Sequence, residues 1–148
     1  MRFLIQRVTE ASVTVDGERI SAFEGPGLLV LCGVAPTDTE TQADKLCAKL
    51  LKLRIFEDDK GAMNRSVLDI NGNVIIVSQF TLYADTASGN RPGFSTAARP
   101  EIAEPLYDHC CTTLRAALGN TRLGTGRFGA DMKVRLLNDG PCTFLLEA

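Results

Sequence analysis

The stretch Val74–Asp85, "VIIVSQFTLYAD", decides how the rest of the chain is read. Val74 to Val77 are apolar and β-branched without alternation. Such a run fits a strand covered on both faces, because a half-exposed strand alternates apolar with polar. Polar groups then arrive abruptly at Ser78, Gln79 and Thr81. If the strand continues, Gln79 and Thr81 share one face, and Ser78 and Phe80 the other. A buried strand that turns polar at its C-terminal end is a common place for a site. The plainer alternative is that these residues satisfy backbone groups where the strand leaves the core.

Upstream, Gly27–Val34, "GLLVLCGV", is a second continuous apolar run of the same kind. Before it, "SVTV" and "ERIS" flank Asp16-Gly17, the signature of a tight hairpin. Between the two buried strands lies a helix, with Thr37 or Asp38 as its cap. Ala43, Leu46, Cys47, Leu50 and Leu51 recur on one face, and Lys45, Lys49 and Lys52 lie late, where the helix dipole favours cations. The polar segment "FEDDKGAMNRSVLDINGN" reads as a loop or short hairpin.

Downstream, "TASGNRPGFSTAARP" is a Gly-, Ser- and Pro-rich surface loop of functional size. A second helix starts near Pro100, a favourable first-turn position. Its expected buried stripe is Ile102, Leu106, Cys110 and Leu114, and Gly119 ends it. Two strands, "DMKVRLLN" and "PCTFLLE", then close the chain. Asn138-Asp-Gly-Pro141 between them reads as a hairpin turn, or as a backbone-only surface. Gly140 and Pro141 present successive carbonyls with little side chain between them, which can test size and handedness at a ligand's α-carbon. Trans is the expected isomer of an X-Pro bond. Strands and helices mix without a βαβ rhythm, so the expected class is α+β in a single domain spanning 1–148.

Composition narrows the function. The 148 residues carry a net charge of −2, with 16 basic and 18 acidic side chains. That argues against broad electrostatic wrapping of nucleic acid, which needs many phosphate contacts. It leaves room for reading one RNA end. No apolar stretch approaches the ~20 residues of a membrane span, and the opening "MRFLIQRVTEASVTV" lacks signal-peptide architecture. A cytoplasmic protein is expected. The five cysteines, Cys32, Cys47, Cys110, Cys111 and Cys142, are odd in number and follow no metal or disulfide pattern. With His109 the single histidine, neither a metal nor a cofactor is expected.

Side-chain catalysis finds little support. Thr81 or Ser78 as a nucleophile needs an adjacent base. His109 sits on the second helix beside cysteines and reads as a packing residue. Cys142 as a nucleophile has nothing nearby in sequence to lower its pKa, and the alternative is a small buried hydrophobe. On a helix the vicinal Cys110 and Cys111 side chains point about 100° apart, which favours packing over redox pairing. If the protein hydrolyses something, the activating group comes from the substrate.

Several blocks together resemble one family. "SQFTLYAD" (Ser78–Asp85), "GNRPGF" (Gly89–Phe94), "GRFGADMKV" (Gly126–Val134), "NDGPCT" (Asn138–Thr143), the opening "QRVTEASVTVDGE" and "LRIFEDDKGAMNRS" are similar to the signature blocks of the D-aminoacyl-tRNA deacylases. The likeness runs from Met1 to about Phe144, in order. It implies a barrel-like α+β fold with two main helices, assembled as a homodimer. It implies an enzyme that hydrolyses the ester between a D-amino acid, or glycine, and the 3′-terminal adenosine of tRNA. The implied partners are a second copy and a tRNA acceptor end, with no membrane and no DNA.

The implied site residues are Ser78, Gln79, Phe80 and Thr81, beside Gly140 and Pro141 of the other copy. There the Gly-Pro bond is cis and its carbonyls clash with an L side chain. Arg7 is implied to hold that element in place. Phe80 and Thr81 are the implied catalytic positions, with the ribose 2′-hydroxyl assisting and backbone N–H groups stabilising the oxyanion. The sequence departs from the family pattern at Cys142, usually valine, and at Ala62, frequently lysine. The first leaves a small apolar residue in place; the second removes a charge that could contact phosphate.

Overall fold

The computed structural model describes residues Met1–Ala148. Two long antiparallel strands, β1 (Arg2–Val15) and β2 (Glu18–Gly33), open the chain. Asp16 and Gly17 join them with φ of 51° and 81°. Positive φ at both positions matches the right-handed twist of the flanking strands, which is what the Asp-Gly pair anticipates. Then follow α1 (Glu40–Lys52), a small hairpin of β3 (Phe56–Glu57) and β4 (Met63–Arg65), and β5 (Asn73–Ser78). A 3-10 turn (Phe80–Tyr83), α2 (Pro100–Leu118), β6 (Leu123–Thr125) and β7 (Met132–Glu147) complete the fold.

The main sheet has the order β6-β5-β2-β1-β7. β1 is antiparallel to β2 and β7, whereas β2, β5 and β6 are mutually parallel. The α+β class holds. The absence of a βαβ rhythm does not: β2 reaches β5 through α1, and β5 reaches β6 through α2, as parallel neighbours require. A hairpin and turns fill the first crossover and a loop lengthens the second, so the alternation is hidden in the sequence.

Both buried runs alternate between two apolar clusters on opposite faces of the sheet. Leu28, Val30, Val74 and Ile76 face the helices and meet Leu46, Leu50, Leu106 and Leu114. Leu29, Ile75 and Val77 face the other way, against Val8, Val13 and Val15. No helix covers that second cluster. Met132, Val134 and Leu136 of β7 pack on it although β7 and β5 are not neighbours in the sheet. The sheet therefore curls around it, giving the barrel-like shape. β1 serves both clusters because its register shifts between Val8 and Glu10. Phe3 and Ile5 face the helices, whereas Ala11, Val13 and Val15 face the barrel interior. One irregularity flips the side-chain parity, since the period of a strand is two residues.

Three local expectations are corrected. The cap of α1 is Thr39, which forms a capping box with Gln42. Asp38 is occupied elsewhere, accepting from the Ala35 N–H and the Met1 amino group, both at 2.6 Å. On α2, Leu106, Cys110 and Leu114 are buried as expected but Ile102 is 39% exposed, and Ala103, Tyr107, Cys111 and Leu118 complete the buried face. Gly119 does end the helix, at φ 81°. Finally, Asn138–Pro141 is not a hairpin turn. β7 runs on as a single strand along β1, and Asp139 to Cys142 bulge out opposite the single residue Arg7, between the pairs Val8–Asn138 and Gln6–Thr143.

Candidate active site

β5 ends at Ser78, and the chain turns at once. Gln79 N–H donates to Cys32 O at 2.7 Å, the last rung against β2. Phe80–Tyr83 then coil into the 3-10 turn, so the face-sharing expected of an extended Gln79 and Thr81 is replaced by a helical arrangement. Their side chains still meet: Gln79 Nε2 donates to Thr81 Oγ1. Arg2 secures the turn, with Nη1 donating to Leu82 O at 2.8 Å and the guanidinium 4.5 Å from the Tyr83 ring centre. The loop that follows is closed by paired backbone bonds between Asp85 and Gly93, each 2.8 Å. This places Phe94 edge-on to Phe80, with ring centres 4.9 Å apart.

Beneath these rings lies a cavity of about 620 Å³. Cys32, Val34 and Val77 supply sheet atoms, and Ser78, Gln79 and Phe80 the end of β5. The start of α2 contributes Arg99, Pro100, Ala103 and Tyr107, and Phe128 to Met132 and Val134 form the far wall. Tyr107 is pinned by donating its hydroxyl to Ile76 O at 2.9 Å, and burial pushes its phenol well above the usual range, so it stays neutral. Ile76 O also accepts from Gly126 N–H at 2.9 Å. A Cβ on Gly126 would stand 2.7 Å from Met132 Sδ, so glycine lets the far wall close on β5.

An apolar, ring-lined cavity of this size suits a nucleoside-sized ligand. Sequence reasoning missed most of its walls. Phe94, Arg99, Tyr107, Phe128 and Met132 come from three separate segments; the loop "TASGNRPGFSTAARP" and the block "GRFGADM" carried a visible signal, but nothing marked Tyr107 as a wall. Thr81 does not line the cavity; it sits exposed at its edge.

The second element lies elsewhere in the chain. Arg7, only 7% exposed, reaches from β1 into the β7 bulge. Its Nε donates to Asp139 O at 3.1 Å and lies 3.0 Å from Asp139 Oδ2, and its Nη1 donates to Ile55 O at 2.6 Å. Asn138 Nδ2 donates to Arg7 O at 3.0 Å and to Cys142 O at 3.3 Å, closing the bulge on itself. A Cβ on Gly140 would fall 2.2 Å from Asn138 Oδ1, so any side chain there must displace the Asn138 amide that closes the bulge. The Gly140-Pro141 bond is cis, as the resemblance implied and against the expectation from the dipeptide alone. Both residues are exposed, and neither lines the cavity of its own chain.

The remaining nucleophile candidates fall away. Cys142 is 3% exposed and packs into the helix-side core, and burial raises its thiol above the ordinary range. It is the small apolar residue of the packing alternative. Cys110 and Cys111 are both buried in the same core, their thiols also raised, Cys111 to about 11. His109 bridges helices, with Nε2 2.7 Å from Asp44 Oδ1 and Nδ1 3.7 Å from Glu40 Oε1, and is no base for Thr81. Ala62 occupies the exposed β3–β4 turn, where its N–H donates to Asp58 Oδ1 at 3.1 Å.

Fold and site together define a curled α+β domain with a ring-lined pocket at the end of its central parallel strand and no paired side-chain nucleophile and base. The profile of one family, D-Tyr-tRNA(Tyr) deacylase, matches residues 4–147. The D-aminoacyl-tRNA deacylase of Ruegeria pomeroyi is 58% identical over 147 residues, covering 99% of this chain and 99% of its own. That of Cereibacter sphaeroides is 57% identical over 148 residues, covering both chains completely. The chain belongs to the D-Tyr-tRNA(Tyr) deacylase family, a family of hydrolases. Among solved structures it superposes on one named "c-Myc DNA Unwinding Element Binding Protein" with a TM-score of 0.93 and 42% identity, covering 100% of this chain and 99% of that one. A "probable eukaryotic D-amino acid tRNA deacylase" shares the fold, at a TM-score of 0.85 and 19% identity over 99% of this chain and 98% of that one.

Proposed function

We propose that the protein is a chiral proofreading hydrolase that cleaves D-aminoacyl-tRNA, and glycine mischarged on tRNA, into free amino acid and tRNA in the cytoplasm. The observation that carries this reading is the pair of separated half-sites. One is a nucleoside-sized pocket beside Ser78 to Phe80. The other is an exposed Gly140-Pro141 surface, braced by Arg7 and Asn138, that does not line the pocket of its own chain. Each half is incomplete, and two copies arranged so that the bulge of one meets the pocket of the other complete both.

In this reading the terminal adenosine enters the ring-lined cavity, and its ester lies near Ser78, Gln79, Phe80 and Thr81. Water adds to the ester carbonyl, the acyl carbon–oxygen bond breaks, and the ribose 3′-oxygen leaves with a proton. The adjacent 2′-hydroxyl assists, since no protein base stands near Thr81. The N–H groups at the start of the 3-10 turn, where a helix leaves donors without internal partners, face the developing oxyanion. The Thr81 hydroxyl helps to position Gln79 and is not the nucleophile. Selectivity comes from a clash between an L side chain and the Gly140-Pro141 backbone; a D side chain points away and glycine has none.

The test is release of amino acid from matched D-tyrosyl-, L-tyrosyl- and glycyl-tRNA, at enzyme concentrations well below substrate. Loss of the D-amino acid and glycine with L-tyrosine retained supports the proposal; no release by a folded dimer overturns it. The 42%-identical structure is named for binding a DNA unwinding element, which favours a second reading, binding of duplex DNA. The net charge of −2 weighs against it, and a gel shift with duplex DNA at physiological salt decides.

A further inference from the structure

We propose that Arg99 is a specificity residue that engages the phosphodiester on the 5′ side of the terminal adenosine, and so distinguishes a tRNA end from a free aminoacyl nucleoside. This rests on the reading of the cavity as the adenosine pocket. Only two charged side chains line that cavity, Arg99 and Asp131. Asp131 is already matched, its two carboxylate oxygens each accepting from Lys133 Nζ at 2.9 Å. Neighbouring Arg127 lies 3.9 Å from Asp16 Oδ2. Arg99 takes part in none of the chain's ion pairs. Although it stands at the N-cap of α2, its side chain makes no capping hydrogen bond. It is the one uncompensated charge on the rim of a largely apolar pocket.

Chemistry selects the ligand. A nucleoside at the 3′ end of RNA is neutral at its base and ribose, and its nearest fixed charge is the phosphate on the 5′ side. A planar guanidinium presents two parallel N–H groups that match two phosphate oxygens, a geometry that lysine cannot reproduce. Because Arg99 is exposed, the contact is modest in strength and weakens with salt. That suits a protein of net charge −2 that must release the tRNA after each turnover.

The experiment compares two small substrates, 3′-O-D-tyrosyl-adenosine with and without a 5′-phosphate. The quantity read is the ratio of their KM values, with D-tyrosyl-tRNA run alongside. In the wild type the 5′-phosphate lowers KM by about fivefold at low salt, an exposed-contact magnitude. In Arg99→Ala that advantage disappears, Arg99→Lys keeps part of it, and Arg99→Glu turns it into a penalty. An unchanged ratio in Arg99→Ala overturns the assignment. So does a defect seen only with whole tRNA, which would place the contact farther along the acceptor stem. If the wild type hydrolyses none of the three substrates, the deacylase reading itself has failed, which is a separate result.

Discussion

The two half-sites are built in opposite ways. The pocket end, Val74 to Tyr83, grows out of the most deeply buried strand, and its walls are mostly side chain. The bulge, Asn138 to Cys142, sits on the edge strand β7 and presents backbone. Side-chain walls can be tuned by exchange of one residue for another of similar size. A backbone surface can be tuned only through what holds it, here Arg7, Asn138 and the missing Cβ of Gly140. In the proposed reading, recognition that must ignore side-chain identity is placed where side chains have been removed.

Breaking the bulge is expected to have the largest functional effect. In Gly140→Ala the new methyl and Asn138 Oδ1 cannot both keep their places at 2.2 Å. The bulge shifts, and the rate on L-tyrosyl-tRNA relative to D-tyrosyl-tRNA rises by about tenfold or more, of the order that one lost steric contact of about 1.4 kcal/mol gives. Paired single-turnover assays read this. Arg7→Ala leaves the Ile55 and Asp139 carbonyls without their buried donor. It is expected to lose about 2–3 kcal/mol of stability in urea titration and to relax selectivity in the same direction.

Breaking the pocket end separates stability from selectivity. Ile76→Ala empties a fully buried position in β5 and is expected to cost about 3 kcal/mol with the D-over-L ratio unchanged, as read by denaturant midpoint and assay together. Thr81→Ala sharpens the mechanism and has a smaller effect. Turnover should fall by less than about tenfold, because general positioning is lost and no nucleophile is removed.

The smallest effect comes from pH. Backbone N–H groups of Lys60 and Ala62 hold the Asp58 carboxyl below the usual carboxylate range. A depressed carboxylate stabilises the fold above its unfolded pKa of about 3.9 and loses that contribution as pH falls through its folded value. The β3–β4 hairpin, which follows the Ile55 anchor of Arg7, should therefore loosen below about pH 4, visible as faster amide exchange at residues 56–65.

The sequence exposed the pocket end more fully than the bulge, for physical reasons. A run such as Val74 to Val77 records its burial in composition, because only two covered faces tolerate it. The polar onset at Ser78 marked the end of the strand correctly, but the coil into a 3-10 turn depends on Arg2 and on the Asp85–Gly93 closure, which lie far apart in sequence. Phe128 and Met132 reach the pocket only because β6, which precedes them, pairs with the distant β5. In β7, proline and glycine read as a turn because local signals cannot report a partner strand. The Arg7 and Asn138 bonds that keep β7 continuous span 132 and 131 residues. The family resemblance supplied what local pattern could not, the pairing of Arg7 with the Gly-Pro element.

The most direct test of the central claim, that the bulge of one copy gates the pocket of the other, uses mixed dimers. One chain carries Gly140→Val, which spoils its gate. The other carries Ala98→Trp, at a residue that lines the cavity beside Arg99, which fills its pocket. Co-expressed and purified as the heterodimer, the pair keeps one intact pocket facing one intact gate across the interface. Gating across the interface predicts D-over-L selectivity near that of the wild type at about half its activity, whereas the Gly140→Val homodimer is unselective and the Ala98→Trp homodimer inactive. A heterodimer as unselective as the Gly140→Val homodimer would mean that the gate acts within its own chain, and would contradict the claim.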